Sequence, residues 1–165
     1  MPVAASGNAA INATATAAAS AVVAASTPTF TLPNNVKNVT AGGVSIASGA
    51  ISQTVVGMAR AFTVLSVACS GPLRLRLYST VAAQTADLSR PNSVPPTPGT
   101  DHGVICDLYL QTMTQWTNWT LSPAAPGFNG NASISNQIYC SITNLSGSTA
   151  SPTATISYVG DSTPN

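Results

Sequence analysis

The sequence predicts an all-β protein: an antiparallel β-sandwich of immunoglobulin-like or jelly-roll type, preceded by an extended N-terminal arm. Three observations carry this. From about residue 48 onward, short apolar runs with a period of two recur, separated by turn residues. Residues 1 to about 45 lack that pattern and are rich in Ala, Ser, Thr and Asn. Charged residues make up 5% of the chain, against roughly 25% in an average soluble domain, and Glu is absent. The expected division is an arm over 1–45, ordered only on assembly, and a sandwich domain over 46–165.

The arm comes first. Its only charged side chain is Lys37. Alanine favours helix, but Asn8, Asn12, Thr14, Thr16 and Ser20 interrupt the run and no amphipathic stripe passes through it. Alone, such a segment cannot bury enough apolar surface to offset its ordering entropy, so it is either disordered or ordered against neighbouring subunits. Its most apolar stretch, Ala15 to Ala25, is too short to span a bilayer, and no basic residue precedes it as in a secretory signal. No membrane role is expected.

The strands follow. Ile51–Met58 and Phe62–Cys69 are apolar on both faces in places, as expected of central strands. In Leu73-Arg74-Leu75-Arg76-Leu77-Tyr78 the leucines share one face and the arginines the other. Residues 79–90 predict one short helix, N-capped by Ser79 or Thr80 and stopped before Pro91. Residues 91–103 form a long loop containing Pro91, Pro95, Pro96 and Pro98. Further alternating runs cover 104–110, 138–142 and 154–158. Ser70-Gly71-Pro72 reads as a turn, and Asn144 to Ser148 as a hairpin connection containing Gly147.

Composition narrows the function. The nine formal charges nearly cancel, to +1. Five Lys/Arg spread along the chain cannot track a phosphate backbone, so no nucleic-acid partner is expected. Little self-repulsion opposes packing against copies or partners, which suits a homo-oligomer. Cys69, Cys106 and Cys140 are far apart and lie in apolar runs, which predicts buried free thiols.

Candidate chemistry is sparse. His102 is the only histidine, and no serine sits in a G-x-S-x-G elbow, so His102 and Asp101 are expected to shape a turn. The carboxylates are Asp87, Asp101, Asp107 and Asp161; Asp101, His102 and Asp107 match no metal-loop spacing. Salt bridges from Arg74 or Arg76 to Asp107 or Asp87 are expected on a polar sheet face, worth roughly 0–1 kcal/mol each if exposed. Trp116, Trp119, Tyr109 and Phe128 raise the alternative of a sugar platform, but Trp116 and Trp119 do not share a strand face. The N-x-[S/T] triplets at Asn12, Asn38, Asn118, Asn131 and Asn144 are those a chain rich in these residues produces by chance. The expectation is no enzyme, no cofactor and no metal. The candidate protein-contact residues are Trp116, Trp119, Phe30 and Lys37.

One resemblance adds to this. The stretches PLRLRLYST, ADLSRP, PGTDHGVICDLYL, WTLSPAAPGFNG, IYCSITNLSG and TATISYV are similar to small virion proteins of tailed bacteriophages. The similarity spans roughly residues 50 to 160 and leaves out the arm. It implies a structural role on the outer capsid surface: a cement or decoration protein whose partners are the major capsid protein and copies of itself. A tail, neck or baseplate subunit is the first alternative. A carbohydrate-binding adsorption module is the second. No catalytic residue comes with the resemblance.

Overall fold

A computed structural model of the chain describes residues 35–96, 102–111, 119–133 and 135–160. These form eight strands and one helix: β1 (Val36–Gly42), β2 (Ile51–Gly57), β3 (Ala61–Cys69), β4 (Leu73–Tyr78), α1 (Val81–Asp87), β5 (Val104–Leu110), β6 (Trp119–Phe128), β7 (Gln137–Asn144) and β8 (Thr153–Gly160). The strands lie in two four-stranded antiparallel sheets, ordered β1-β8-β3-β6 and β2-β7-β4-β5. The expected β-sandwich is present. Strand pairs 1–8 and 3–6 fall in one sheet, 2–7 and 4–5 in the other, as when one long antiparallel ribbon is wound on itself. This is the jelly roll, built of two Greek keys. It sets aside the immunoglobulin-like alternative, whose sheets have a different strand order.

Alternation builds the core. Leu73, Leu75 and Leu77 of β4 are fully buried, as are Ile138, Cys140 and Ile142 of β7, Val64 and Val67 of β3 and Ile156 of β8. All belong to one continuous cluster between the sheets. Burying a side chain such as Leu or Ile contributes roughly 1.5–3 kcal/mol. β4 is buried on its other face too. There α1 and the loop behind it cover Arg74, Arg76 and Tyr78. Thr80 caps α1, its hydroxyl accepting from the Ala83 N–H at 3.0 Å. The helix therefore occupies the middle of the expected 79–90 segment and ends at Asp87.

Three expectations are corrected. The arm does not extend to residue 45, because residues 36–42 form β1 and pair with β8 from Val36–Val159 to Gly42–Thr153. Val39 and Ala41 alternate inward there; residues 1–34 of the arm lie outside the described residues. β2 is not central but an edge strand, while β3 is central as expected. Asn144 to Ser148 is not a hairpin connection either, because β7 and β8 belong to different sheets. Buried Asn144 holds this crossing together. Its amide donates to the Ile46 and Ser148 carbonyls (2.8 and 2.9 Å), and its side-chain oxygen accepts from the Ser146 N–H at 2.9 Å.

Candidate functional site

The densest polar cluster lies on the outer face of β4. Arg74 grips Asp107 with two parallel bonds, from Nε and Nη2 to the two carboxylate oxygens, each 2.7 Å. Arg76 Nη1 donates to Asp87 Oδ2 at 3.0 Å. Arg90 Nη2 bridges both acids, at 2.9 Å to Asp87 and 2.8 Å to Asp107. The Tyr78 hydroxyl donates to Asp87 at 2.8 Å and lies 2.8 Å from the Ser141 hydroxyl. Loop carbonyls take the remaining guanidinium donors: those of Pro91 and Val94 from Arg74, and those of Asp87 and Arg90 from Arg76. Arg76 Nε alone has no partner among the described residues.

The pairing of Arg74 and Arg76 with Asp107 and Asp87 is the one the sequence suggests. Arg90 and Tyr78 are additions the sequence did not single out, and the setting is not the expected exposed sheet face. The side chains of Arg74 and Arg76 are only 3% and 1% exposed. Burial on its own would raise the carboxyl of Asp87. Hydrogen bonds from Arg90 and Tyr78, and the charges of Arg90 and Arg76, hold it below the ordinary value instead. Asp107 is likewise pushed up by burial and pulled further down by Arg74 and Arg90. Neither acid is poised to exchange a proton near neutral pH. The cluster is a clamp holding the α1 loop to the sheet.

Other candidates disperse. His102 is exposed, and its Nδ1 accepts the Val104 N–H at 3.0 Å, a turn-shaping contact. Asp107 engages arginines, and Asp101 lies outside the described residues. No cluster of three His, Cys, Asp or Glu side chains suited to a metal occurs among the described residues. Trp119 opens β6 at 43% exposure, and Lys37 is exposed on β1. Phe30 and Trp116 lie outside the described residues. Trp119 and Phe128 stand at opposite ends of β6, and Tyr109 is on β5 in the other sheet, so these three share no platform.

The three cysteines are free and buried, as expected. Cys106 and Cys140 pair with Leu77 from opposite sides. Two strand spacings separate them, on the order of 10 Å, which no disulfide spans. Burial raises Cys69 to about 11, Cys106 to about 11 and Cys140 to about 12, leaving all three as inert thiols.

What sequence reasoning missed is a surface. Five of the nine charged residues (Arg74, Arg76, Arg90, Asp87 and Asp107) are consumed by the clamp. Among the described residues only Lys37 and Arg60 remain as exposed charges. The outer face of the β1-β8-β3-β6 sheet carries none. Its cross-strand rows read Thr40–Thr155–Ala68, then Asn38–Ser157–Ser66–Thr120, then Val36–Val159–Thr63–Pro126. Thr40 and Thr155 hydroxyls lie 3.1 Å apart, and Ser157 donates to Asn38 at 2.8 Å, so the hydroxyls partly satisfy one another. At one end of this sheet an open groove of about 560 Å³ runs between Phe62, Pro126, Phe128 and Val159.

No family model matches this chain, and no curated protein or solved structure matches it either.

Proposed function

We propose that the chain is a structural protein of a tailed-phage particle, a capsid cement or decoration protein that stabilises the major capsid protein lattice from outside. The observation that carries this reading is the uncharged sheet face. A partner lying on Thr40, Thr155, Ser157 and Thr63 strips no ion of its water, and desolvating an unpaired ion is the largest penalty of interface burial. Jelly rolls also build lectins, so the fold alone does not choose between these roles. The resemblance to small virion proteins favours the shell.

The mechanism is mass action. A ligand that binds only the assembled lattice lowers its free energy and raises its tolerance of heat. Contacts repeated by symmetry add avidity, and an N-terminal arm that orders on the lattice adds a tether. The test is to add the full chain to undecorated capsids and measure bound copies and the temperature of capsid rupture. We expect occupancy of every lattice position and a higher rupture temperature. Thr155→Lys, which places a charge on the face without entering the core, should weaken binding about tenfold or more. Binding at the tail or a single vertex would favour a tail, neck or baseplate subunit. Glycan binding lost in Trp119→Ala, with no affinity for capsids, would overturn the reading in favour of adsorption.

A further inference from the structure

The two sheets end on four edge strands, and these differ in how they are protected. β6 carries Pro123 and Pro126, which cannot donate to a further strand. β1 carries Lys37, and β5 carries Asp107. β2 (Ile51–Gly57) has neither a charge nor a proline. Such an edge is an open template for another strand.

Its register shows which backbone groups are unused. The Met58 N–H donates to the Asn136 carbonyl at 2.7 Å, and the Asn144 N–H donates to the Ala50 carbonyl at 3.1 Å. Residues 50 and 58 therefore face β7, and so do 52, 54 and 56 between them. By the alternation of an antiparallel ladder, the N–H and C=O groups of Ile51, Gln53, Val55 and Gly57 point away from β7. Among the described residues nothing pairs with this edge. Gln53, Val55 and Gly57 are exposed, and Val55 is a large apolar side chain at 46% exposure.

These four positions are symmetric about Thr54. Against a second antiparallel copy, Ile51 stands opposite Gly57 and Gln53 opposite Val55, so the bulkiest residue meets the one without a side chain. All four residues then enter hydrogen-bonded pairs, each exchanging two bonds, for about eight bonds across the seam. With no charge on the strand, the two-fold axis brings no like charges together.

We propose that β2 is a self-association edge. A second copy adds its own β2 antiparallel about Thr54 and joins two β2-β7-β4-β5 sheets into one continuous sheet. The contact is isologous, with the same patch used on both sides. Main-chain bonds supply the affinity, as in other strand additions. The proposal rests on backbone register and is independent of the virion reading.

Hydrogen exchange of the full-length protein over a concentration series tests it directly. Amides of residues 51, 53, 55 and 57 should gain protection as concentration rises, while those of 52, 54 and 56 stay protected throughout. Light scattering should show a dimer, with the dissociation constant raised at least about tenfold in Val55→Lys. Gln53→Pro should do the same without touching a bond to β7, and Thr40→Lys on β1 should leave the dimer intact. Exchange at the four amides that ignores concentration overturns the proposal. So does a dimer that survives both β2 substitutions in folded protein.

Discussion

Asp107 receives two bonds from Arg74 and a third from Arg90, all under cover of the α1 loop. Removing its charge leaves two guanidinium groups short of a counter-ion where water cannot fully replace it. Asp107→Asn should therefore cost about 3 kcal/mol, the penalty of breaking a buried pair, read as a lower urea midpoint at unchanged slope. An exposed pair would lose less than about 1 kcal/mol, so the measurement separates the two settings. The alternation of Leu73 to Tyr78 announced the arginine row and its aspartate partners. It could not announce the burial, because the covering loop is supplied by residues 79–96. Gly103 makes the same point. It lies at φ +64°, and a Cβ there would come within 2.5 Å of the Ala83 methyl. The glycine is visible in the sequence, but the helix it must clear is not.

α1 is only seven residues long and has no acidic residue in its first turn. Too short to be stable alone, it depends on its cap and on docking. Gln84 anchors it by donating to the Cys140 carbonyl at 2.7 Å. Thr80→Ala removes the cap and should cost about 1 kcal/mol, measured by thermal or urea unfolding. Among the strands, those with clean alternation were readable. β6 was not, because Pro123 and Pro126 argue against a strand unless it lies on an edge, and edge position is a property of the sheet. β1 was hidden by its composition. Only Val39 and Ala41 turn inward to the core, while Lys37, Asn38 and Thr40 look like arm. β2 was recognised as a strand yet misplaced as central. Its apolar residues sit partly on an exposed edge rather than between two neighbours.

Taken whole, the molecule withdraws most of its charge from the surface into a single clamp. This has a consequence for acid stability. Asp87 and Asp107 both titrate below the ordinary value of 3.8 when folded. A carboxylate depressed in this way stabilises the fold at pH above its unfolded value, and that stability is lost as pH falls through the folded value. Thermal unfolding should therefore change little from neutral pH to about pH 5 and shift downward below about pH 4. A melting temperature that stayed constant down to pH 2 would contradict the clamp. A surface with so few exposed charges also offers little electrostatic resistance to close packing.

Local pattern was enough for the all-β class, the buried thiols, the leucine core of β4, the short helix and four of the five ion-paired residues, Arg90 being the one it left out. Each depends on a period of two, a cap or a burial preference, which operate over a few neighbouring residues. The choice of jelly roll over immunoglobulin-like order, the burial of the arginines, the start of the sandwich at β1 and the charge-free face came only from tertiary structure. These depend on which strands lie side by side. Partners such as Val36 and Val159, more than a hundred residues apart, are brought together by long-range pairing that no local window of sequence contains.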